Sequence, residues 1–221
     1  MLRGLFITGT DTGVGKTVVA AAIMHRYRAT GNLRYWKPIQ TGIEQDDDSA
    51  AVRWLGACGN GEILAEGVRL ARPLSPHLAA RLSGRTIRIQ ELVRLAGAQP
   101  EPVRWVVEGA GGALVPINSA EKMTDLMAAL GVPAVVVARS TLGTINHTLL
   151  TLEALRNRSL RVTGVVMVGG KNAENRAAIE QFGDVSVLAE MPFFRELAPA
   201  ALGQWAAAEL DPPGRLLEFL K

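Results

Sequence analysis

A glycine-rich segment near the beginning of the chain has the residue types that bind phosphate. Residues 9–17 are Gly-Thr-Asp-Thr-Gly-Val-Gly-Lys-Thr, between a short apolar run and an amphipathic stretch. Gly13 and Gly15 allow backbone turns that other residues resist, so successive N–H groups can face phosphate oxygens. Lys16 can reach the β- and γ-phosphates of a nucleotide, and the Thr17 hydroxyl can bind Mg²⁺. The segment predicts a phosphate-binding loop (P-loop) that opens a helix.

This loop departs from the usual P-loop spacing at its first glycine. The usual pattern requires glycine at position 10, where this chain has Thr10, and the glycine lies one residue earlier at Gly9. An ordinary glycine-rich turn between a strand and a helix is the alternative. The complete context of strand, loop, Lys-Thr pair and helix favours phosphate binding.

Charged side chains also occur where later strands are predicted to end. Lys37 precedes Pro38 at the end of the second apolar run, and ligands bind at the carboxyl ends of parallel strands. A second ammonium group beside Lys16 would stabilise the charge that develops in phosphoryl transfer. From spacing alone, a solvated lysine at a strand end explains Lys37 at least as well.

Carboxylates that could hold Mg²⁺ occur in two segments. An acidic cluster at positions 44–48 precedes a predicted helix, where acids also simply complement the helix dipole. Among these acids we choose Asp48, nearest to the helix, as a Mg²⁺ ligand. Glu108 ends a strand candidate before a glycine-rich turn, where P-loop enzymes keep the acid that holds Mg²⁺. A solvated glutamate at a strand end is the alternative for Glu108.

The composition predicts a globular chain without a nucleic-acid or membrane partner. Of its 221 residues, 48% are hydrophobic and 20% are charged, and the net charge is only +3. The single cysteine, Cys58, suits a reducing cytoplasm. No apolar stretch approaches the roughly 18 residues that a membrane span needs, and the N-terminal apolar run is too short for a signal peptide. We therefore expect a cytoplasmic protein.

The elements that must position these residues alternate between short apolar runs and amphipathic stretches. The strand candidates are Leu5–Thr8, Arg34–Lys37, Trp105–Glu108, Ala134–Ala138, Val162–Val168 and Val185–Ala189. They are continuous runs rich in Val and Ile, as in parallel strands that are buried on both faces. The helix candidates are Lys16–Arg28, Ser49–Gly56, Ile89–Ala96, Thr124–Leu130, Asn146–Arg158, Asn175–Phe182, Pro199–Glu209 and Gly214–Leu220.

This alternation predicts an α/β fold with a three-layer, doubly wound, mostly parallel sheet of the P-loop NTPase type. We find neither an internal repeat nor a linker, so residues 1–221 are predicted to form one domain. Residues 59–86 show no clear pattern, and we expect an irregular excursion over the sheet there.

Taken together, the segments resemble those of the dethiobiotin synthetase family. In addition to the P-loop, the matching segments are Lys-Pro-Ile-Gln-Thr-Gly at 37–42, Ser-Pro-His at 75–77, Glu-Gly-Ala-Gly-Gly at 108–112, Val-Pro at 115–116 and Leu-Gly-Thr-Ile-Asn-His at 142–147. They follow the family's order. The Lys-Pro segment and the Gly-Thr-Ile-Asn-His segment together distinguish this family from other P-loop proteins.

The resemblance implies an ATP-dependent ligase of biotin biosynthesis that forms C–N bonds. In such enzymes the N7 carbamate of 7,8-diaminononanoate, formed with CO2 or bicarbonate, attacks the ATP γ-phosphate. The neighbouring amine then closes the ring and expels phosphate. Position by position, the resemblance implies the catalytic residues Thr12, Lys16 and Lys37, the Mg²⁺ ligands Thr17, Asp48 and Glu108, and substrate contacts at Thr12, Lys37 and Thr41. The residues that it places at the nucleotide are Gly13, Val14, Gly15, Lys16, Thr17, Val18, Asp48, Glu108, Gly109, Ala110, Gly111, Val168, Gly169, Pro192 and Phe193.

In the family, the substrate carboxylate binds at a helix N-terminus of the partner subunit. This position maps to Gly143, Thr144 and Asn146 at the beginning of a helix candidate, where free N–H groups and the helix dipole attract a carboxylate. The resemblance therefore implies a homodimer with the site at its interface. The reaction demands no general base, because an amine attacks CO2 without an enzyme nucleophile. We therefore expect His147 to have a structural role.

One departure from the family concerns the nucleotide base. Many relatives have asparagine where this chain has Val168, and a valine side chain neither donates nor accepts hydrogen bonds. Backbone groups of Val168 and Gly169 and the loop Met191–Phe194 are the remaining candidates for base recognition. We therefore expect a loose nucleotide choice, with ATP and other nucleoside triphosphates accepted.

Two alternative functions remain open at this point. One is another ATP-dependent amidoligase of the P-loop class, but such enzymes usually carry a glutaminase domain, for which the chain has no residual length. The other is a partition- or delivery-type ATPase switch. Such switches often have a second lysine before the P-loop glycines, whereas positions 10–14 contain none.

Overall fold

The computed structural model describes residues 2–99 and 102–221. In the first half of the chain the elements are β1 (Arg3–Gly9), α1 (Lys16–Tyr27), a short 3-10 helix (Arg28–Thr30), β2 (Leu33–Trp36), β3 (Ile39–Thr41), α2 (Asp48–Leu55), β4 (Ile63–Leu64), β5 (Val68–Leu70), α3 (Pro76–Leu82) and α4 (Ile89–Gly97). They are followed by β6 (Arg104–Glu108), α5 (Met123–Leu130), β7 (Ala134–Arg139), α6 (Thr144–Arg156), β8 (Val162–Val168), α7 (Ala173–Gly183), β9 (Val187–Met191), α8 (Pro199–Glu209) and α9 (Leu217–Leu220).

The main sheet of the described residues is parallel throughout. Its seven strands lie in the order β4-β2-β6-β1-β7-β8-β9. The strand β1 is central, with β6 on one side and β7 on the other. The winding direction changes there, and the carboxyl end of β1 is therefore the crevice where such sheets bind ligands. This topology confirms the predicted fold class.

Helices cover both faces of the sheet, because the side chains of each strand alternate between two cores. Leu5 and Ile7 of β1 pack with α1 and α8, whereas Phe6 packs with α5. Small residues at positions 20–22 of α1 are fully buried and let this helix lie close to the sheet. The close packing fixes the beginning of α1, and therefore the P-loop, against β1.

The expectation of an irregular excursion over residues 59–86 is wrong. This segment contains β4, β5 and α3, and β5 pairs with β3 in a small parallel sheet. Strands of two and three residues are too short to show a hydrophobic period, which explains why the sequence pattern missed them. The small sheet positions Thr41 and the turn at Gly42, whose φ of 72° is in the left-handed region.

Other predicted boundaries shift by a few residues. β2 ends at Trp36, so Lys37 lies just beyond the strand, and α6 begins at Thr144, two residues before the predicted start. The last helix begins at Leu217 instead of at position 214. None of the helices in the described part of the chain is long and apolar enough to cross a membrane.

Candidate active site

The P-loop connects the carboxyl end of β1 to the beginning of α1. Gly13 and Gly15 have φ values of 68° and 99°, in the left-handed region that favours glycine. Gly15 is the N-cap of α1, and a glycine has no side chain that would bind the free N–H groups of the helix. These groups and the helix dipole are therefore available to an anion.

The unusual glycine position in this loop has a steric reason. A Cβ atom at Gly9 would lie 2.7 Å from Cγ2 of Val14 and 3.2 Å from Cδ of Lys16. Thr10 instead continues the strand, since its N–H donates to the carbonyl of Val137 over 3.0 Å. Glycine is thus required at position 9, where the loop folds back over the end of β1.

Lys16 is buried at the base of the loop. Its Nζ donates to the carbonyl oxygen of Asp11 over 2.8 Å. Burial and the nearby positive charge of Lys37 lower the pKa of Lys16 to about 8. A phosphate group that replaced the Asp11 carbonyl as the acceptor would place a negative charge beside Lys16 and favour the charged form of its amine.

Lys37 lies between two carboxylates. Its Nζ is 2.6 Å from Oδ2 of Asp48 and 2.7 Å from Oε1 of Glu108, and it donates to the carbonyl of Gly109 over 3.1 Å. Only 3% of Lys37 is exposed. Burial opposes its charge, but the two carboxylates outweigh burial and raise the pKa of Lys37 above its ordinary value. Lys37 is therefore a buried cation at neutral pH.

Three oxygen-bearing side chains meet beside Lys37. The Thr17 hydroxyl is 3.0 Å from Oδ1 of Asp48 and 2.9 Å from Oε1 of Glu108. Its single proton can be donated to only one of them at a time. Oxygen ligands of this kind are those that Mg²⁺ prefers. The described residues contain no group of three or more His, Cys, Asp or Glu side chains arranged to hold a metal, so phosphates and water would have to complete the coordination.

The acidic cluster before α2 divides into different structural roles. Asp47 is the N-cap of α2, and its side chain accepts the N–H of Ala50 over 3.0 Å. Asp48 is the first residue of the helix and points to Thr17 and Lys37. The side chain of Gln40, which the sequence analysis missed, donates to the carbonyl of Asp46 and ties this loop to β3.

A cavity of about 600 Å³ brings most of the predicted site residues together. The predicted residues that line it are Thr12, Gly13, Gly15, Lys16, Thr17, Val18, Lys37, Thr41, Asp48, Glu108, Ala110 and Gly111. Gly109 lies behind this surface, where its carbonyl binds Lys37. The cavity thus joins the P-loop to the predicted metal ligands and substrate contacts.

A second, mostly apolar cavity of about 260 Å³ lies on the other side of the P-loop. Of the residues predicted at the nucleotide, Gly13, Val14, Gly15, Val18, Val168, Pro192 and Phe193 line it. Gly169 does not line it, and its N–H donates to the carbonyl of Met191. An apolar cavity beside a P-loop can hold a nucleotide base by stacking and packing.

Comparison with known proteins identifies the family. A family model described as an AAA domain matches residues 3–201. A relative from Paramagnetospirillum magneticum is 49% identical over 212 residues, which are 96% of each chain. A relative from Brucella ovis is 45% identical, and the match covers 90% of each chain. A relative from Agrobacterium fabrum is 46% identical, and the match covers 97% of this chain and 96% of the relative. All three are named ATP-dependent dethiobiotin synthetase.

The chain belongs to the ATP-dependent dethiobiotin synthetase family. Solved structures add a likeness in fold. A ParA family ATPase from Chlorobium tepidum has a TM-score of 0.59 at 8% identity, covering 93% of this chain and 98% of that one. The MinC:MinD complex from Aquifex aeolicus has a TM-score of 0.53 at 12% identity, covering 92% and 86%. Because these identities are low, the likeness concerns the P-loop fold and gives no support to a partition function.

In this dethiobiotin synthetase family member, the beginning of α6 lies outside both cavities of the single chain. Gly143 is the N-cap with a φ of 91°, and Thr144 is buried with its hydroxyl donating to the carbonyl of Arg139. Gly143 and Asn146 are exposed. Three side chains predicted to contact the substrate, Thr12, Lys37 and Thr41, are thus brought together without these three residues of α6.

Two contacts at the site were not predicted. Tyr35 donates its hydroxyl to Oε2 of Glu108 over 2.7 Å, and Arg139 donates to the carbonyl of Thr12 over 3.1 Å. Arg139 gave a signal that could have been used, since it ends β7 beside β1 at the ligand-binding edge. Tyr35 gave none, because only the register of β2 against β6 places it near Glu108.

Proposed function

We propose that the chain closes a cyclic urea on 7,8-diaminononanoate, using CO2 and Mg-ATP and releasing ADP and phosphate. The observation that carries this proposal is the buried ammonium group of Lys37, which lies beside the P-loop and between Asp48 and Glu108. A fixed cation at this point can bind two anions in succession, the carbamate and the γ-phosphate. The family relationship supports the choice of substrate.

The proposed reaction has three balanced steps. An amine of the substrate adds to CO2 and loses a proton, which gives a carbamate. A carbamate oxygen then attacks the γ-phosphorus, and the bond to ADP breaks. Finally the second amine attacks the carbonyl carbon of the mixed anhydride, the bond to phosphate breaks as the ring closes, and the amine proton passes to the released phosphate.

The protein contributes position and charge to these steps. The N–H groups of the P-loop and Lys16 hold the ATP phosphates, and Lys37 aligns the carbamate oxygen with the γ-phosphorus. Thr12 and Thr41 line the same cavity and can hold the diamine. No side chain forms a covalent bond with substrate in this scheme.

Thr17, Asp48 and Glu108 would hold Mg²⁺, since an oxygen of each carboxylate already lies 2.9–3.0 Å from the Thr17 hydroxyl. The ion would supply positive charge that neutralises the ATP phosphates. Lys37 pairs with both Asp48 and Glu108, so its positive charge already partly neutralises the two carboxylates that would bind the ion.

We further propose a homodimer in which α6 of the partner binds the substrate carboxylate. A groove of about 440 Å³, lined by Thr12, Val115, His147 and Leu150 among others, runs from the P-loop to α6. Leu142 next to this helix is fully exposed, and half of Leu114 and Leu150 is exposed as well. Apolar side chains around a cavity mouth favour an interface there.

The remaining proposals concern organisation and location. We propose that residues 1–221 act as one domain, because elements from both halves of the chain form one sheet. The composition and the single cysteine favour the cytoplasm.

The decisive experiment is a ring-closure assay. Purified protein is incubated with 7,8-diaminononanoate, ¹³C-bicarbonate and Mg-ATP, and the product is analysed by mass spectrometry together with released phosphate. We expect dethiobiotin with one ¹³C atom and phosphate release that depends on the diamine. Phosphate release without diamine dependence and without a ring product would instead identify a nucleotide switch.

A further inference from the structure

The pairing of β2 with β6 places a tyrosine behind the proposed metal site. Tyr35 of β2 is opposite Val106 of β6, so Tyr35 and Glu108, two residues further along, share one face of the sheet. Tyr35 is fully buried, and its hydroxyl donates to Oε2 of Glu108 over 2.7 Å. Tyr35 has no access to solvent, so its hydroxyl has no water to replace Glu108 as its partner.

The two oxygens of Glu108 therefore have different partners. Oε2 accepts the Tyr35 hydroxyl, whereas Oε1 faces Lys37 at 2.7 Å and Thr17 at 2.9 Å. Burial, and secondly the charge of Glu108, raise the pKa of Tyr35 well above its ordinary value.

We propose that Tyr35 is a positioning residue that fixes Glu108 with Oε1 directed to Lys37 and to Mg²⁺. The inference rests on the proposed role of Glu108 as a Mg²⁺ ligand. Partners behind metal-binding carboxylates restrict their rotation, and the loss of such a partner typically weakens metal binding or activity by about 10- to 100-fold.

The chain offers a matched control for a purely structural role. It contains two tyrosines, and the hydroxyl of the other, Tyr27, also donates to a buried carboxylate, Asp211, over 3.0 Å. Tyr27 ends α1, at the end opposite to the P-loop. Tyr27→Phe therefore removes the same kind of hydrogen bond without touching the site.

The test measures ADP binding by calorimetry with Mg²⁺ and with EDTA, together with kcat and KM. In Tyr35→Phe we expect the gain in ADP affinity from Mg²⁺ to fall about tenfold and kcat to fall about tenfold. ADP affinity in EDTA and the KM for the diamine should stay unchanged. Tyr27→Phe should lower thermal stability but keep the Mg²⁺ effect and kcat of the unaltered protein.

A folded Tyr35→Phe protein with an unaltered Mg²⁺ effect and unaltered kcat would overturn the proposal. A loss of stability alone, as in Tyr27→Phe, would do so equally. If the unaltered protein forms no dethiobiotin, the proposed function fails, whereas the calorimetric comparison still tests Tyr35.

A spectroscopic measurement covers the case in which Tyr35→Phe does not fold. In Tyr27→Phe protein, Tyr35 is the remaining tyrosine, so ¹³Cζ-tyrosine labelling gives one signal. We expect this signal to shift when Mg²⁺ is added to the ADP complex, because the ion draws charge from Glu108. A signal that is identical with Mg²⁺ and with EDTA would contradict the proposal.

Discussion

At the scale of single residues, Lys37 balances two carboxylates that would otherwise repel each other in a buried site. Lys37→Ala removes the cation that we assign to the carbamate and γ-phosphate, and we expect kcat to fall about 100- to 1000-fold. ADP binding through the P-loop should be largely retained in calorimetry. Lys171→Ala, which removes an exposed ion pair with Glu209, is the control, and near-normal turnover of Lys37→Ala would remove its assigned role.

We expect Lys16 to make nucleotide binding dependent on pH. Because burial lowers its pKa to about 8, Lys16 is charged below that pH in the free protein and becomes neutral above it. A bound phosphate favours the charged form, so binding above pH 8 should take up a proton and weaken as the pH rises. Calorimetry in buffers of different ionisation enthalpy measures this uptake. Lys16→Arg keeps its charge over this range and should abolish the uptake, and an equal uptake in this variant would exclude Lys16 as the source.

At the scale of elements, local signals in the sequence predict the fold correctly. The P-loop lies between a buried strand and a helix, and β1, β6, β7 and β8 are apolar runs long enough to be recognised. β4 and β5 are too short to give such a signal, and the position of Tyr35 depends on a pairing between strands that are far apart in sequence. Contacts across the sheet require the register, and residue spacing alone does not give it.

We expect β8, the strand that ends at Val168, to set the nucleotide preference. The cavity beside the P-loop is mostly apolar and offers packing by Val168 and Phe193, so we expect less than about tenfold preference for ATP over CTP or GTP in kcat/KM. Val168→Asn adds a donor and an acceptor and should raise the preference for ATP about tenfold. Val168→Ala is the control without polar groups. A hundredfold preference in the unaltered protein would mean that another group recognises the base.

At the scale of the whole molecule, the groove between the P-loop and α6 is open to solvent in a single chain. Lys37 and Thr41 line the cavity of one chain, whereas Gly143 and Asn146 lie outside it and present a helix N-terminus to solvent. Two copies related by a twofold axis would bring each helix to the other's cavity, since an isologous interface repeats every contact twice.

The proposed dimer predicts that substrate binding depends on dimer formation. Leu142→Asp places a charge on a fully exposed apolar residue beside the helix, and we expect sedimentation to show monomers and the KM for the diamine to rise at least about tenfold. Calorimetric ADP affinity should stay unchanged, because the P-loop and its cavity lie within one chain. Leu82→Asp alters a half-exposed leucine outside the cavities and the groove and serves as the control. If Leu142→Asp protein is monomeric and its KM for the diamine is unaltered, substrate binding does not require the dimer. The substrate carboxylate would then have to bind within a single chain.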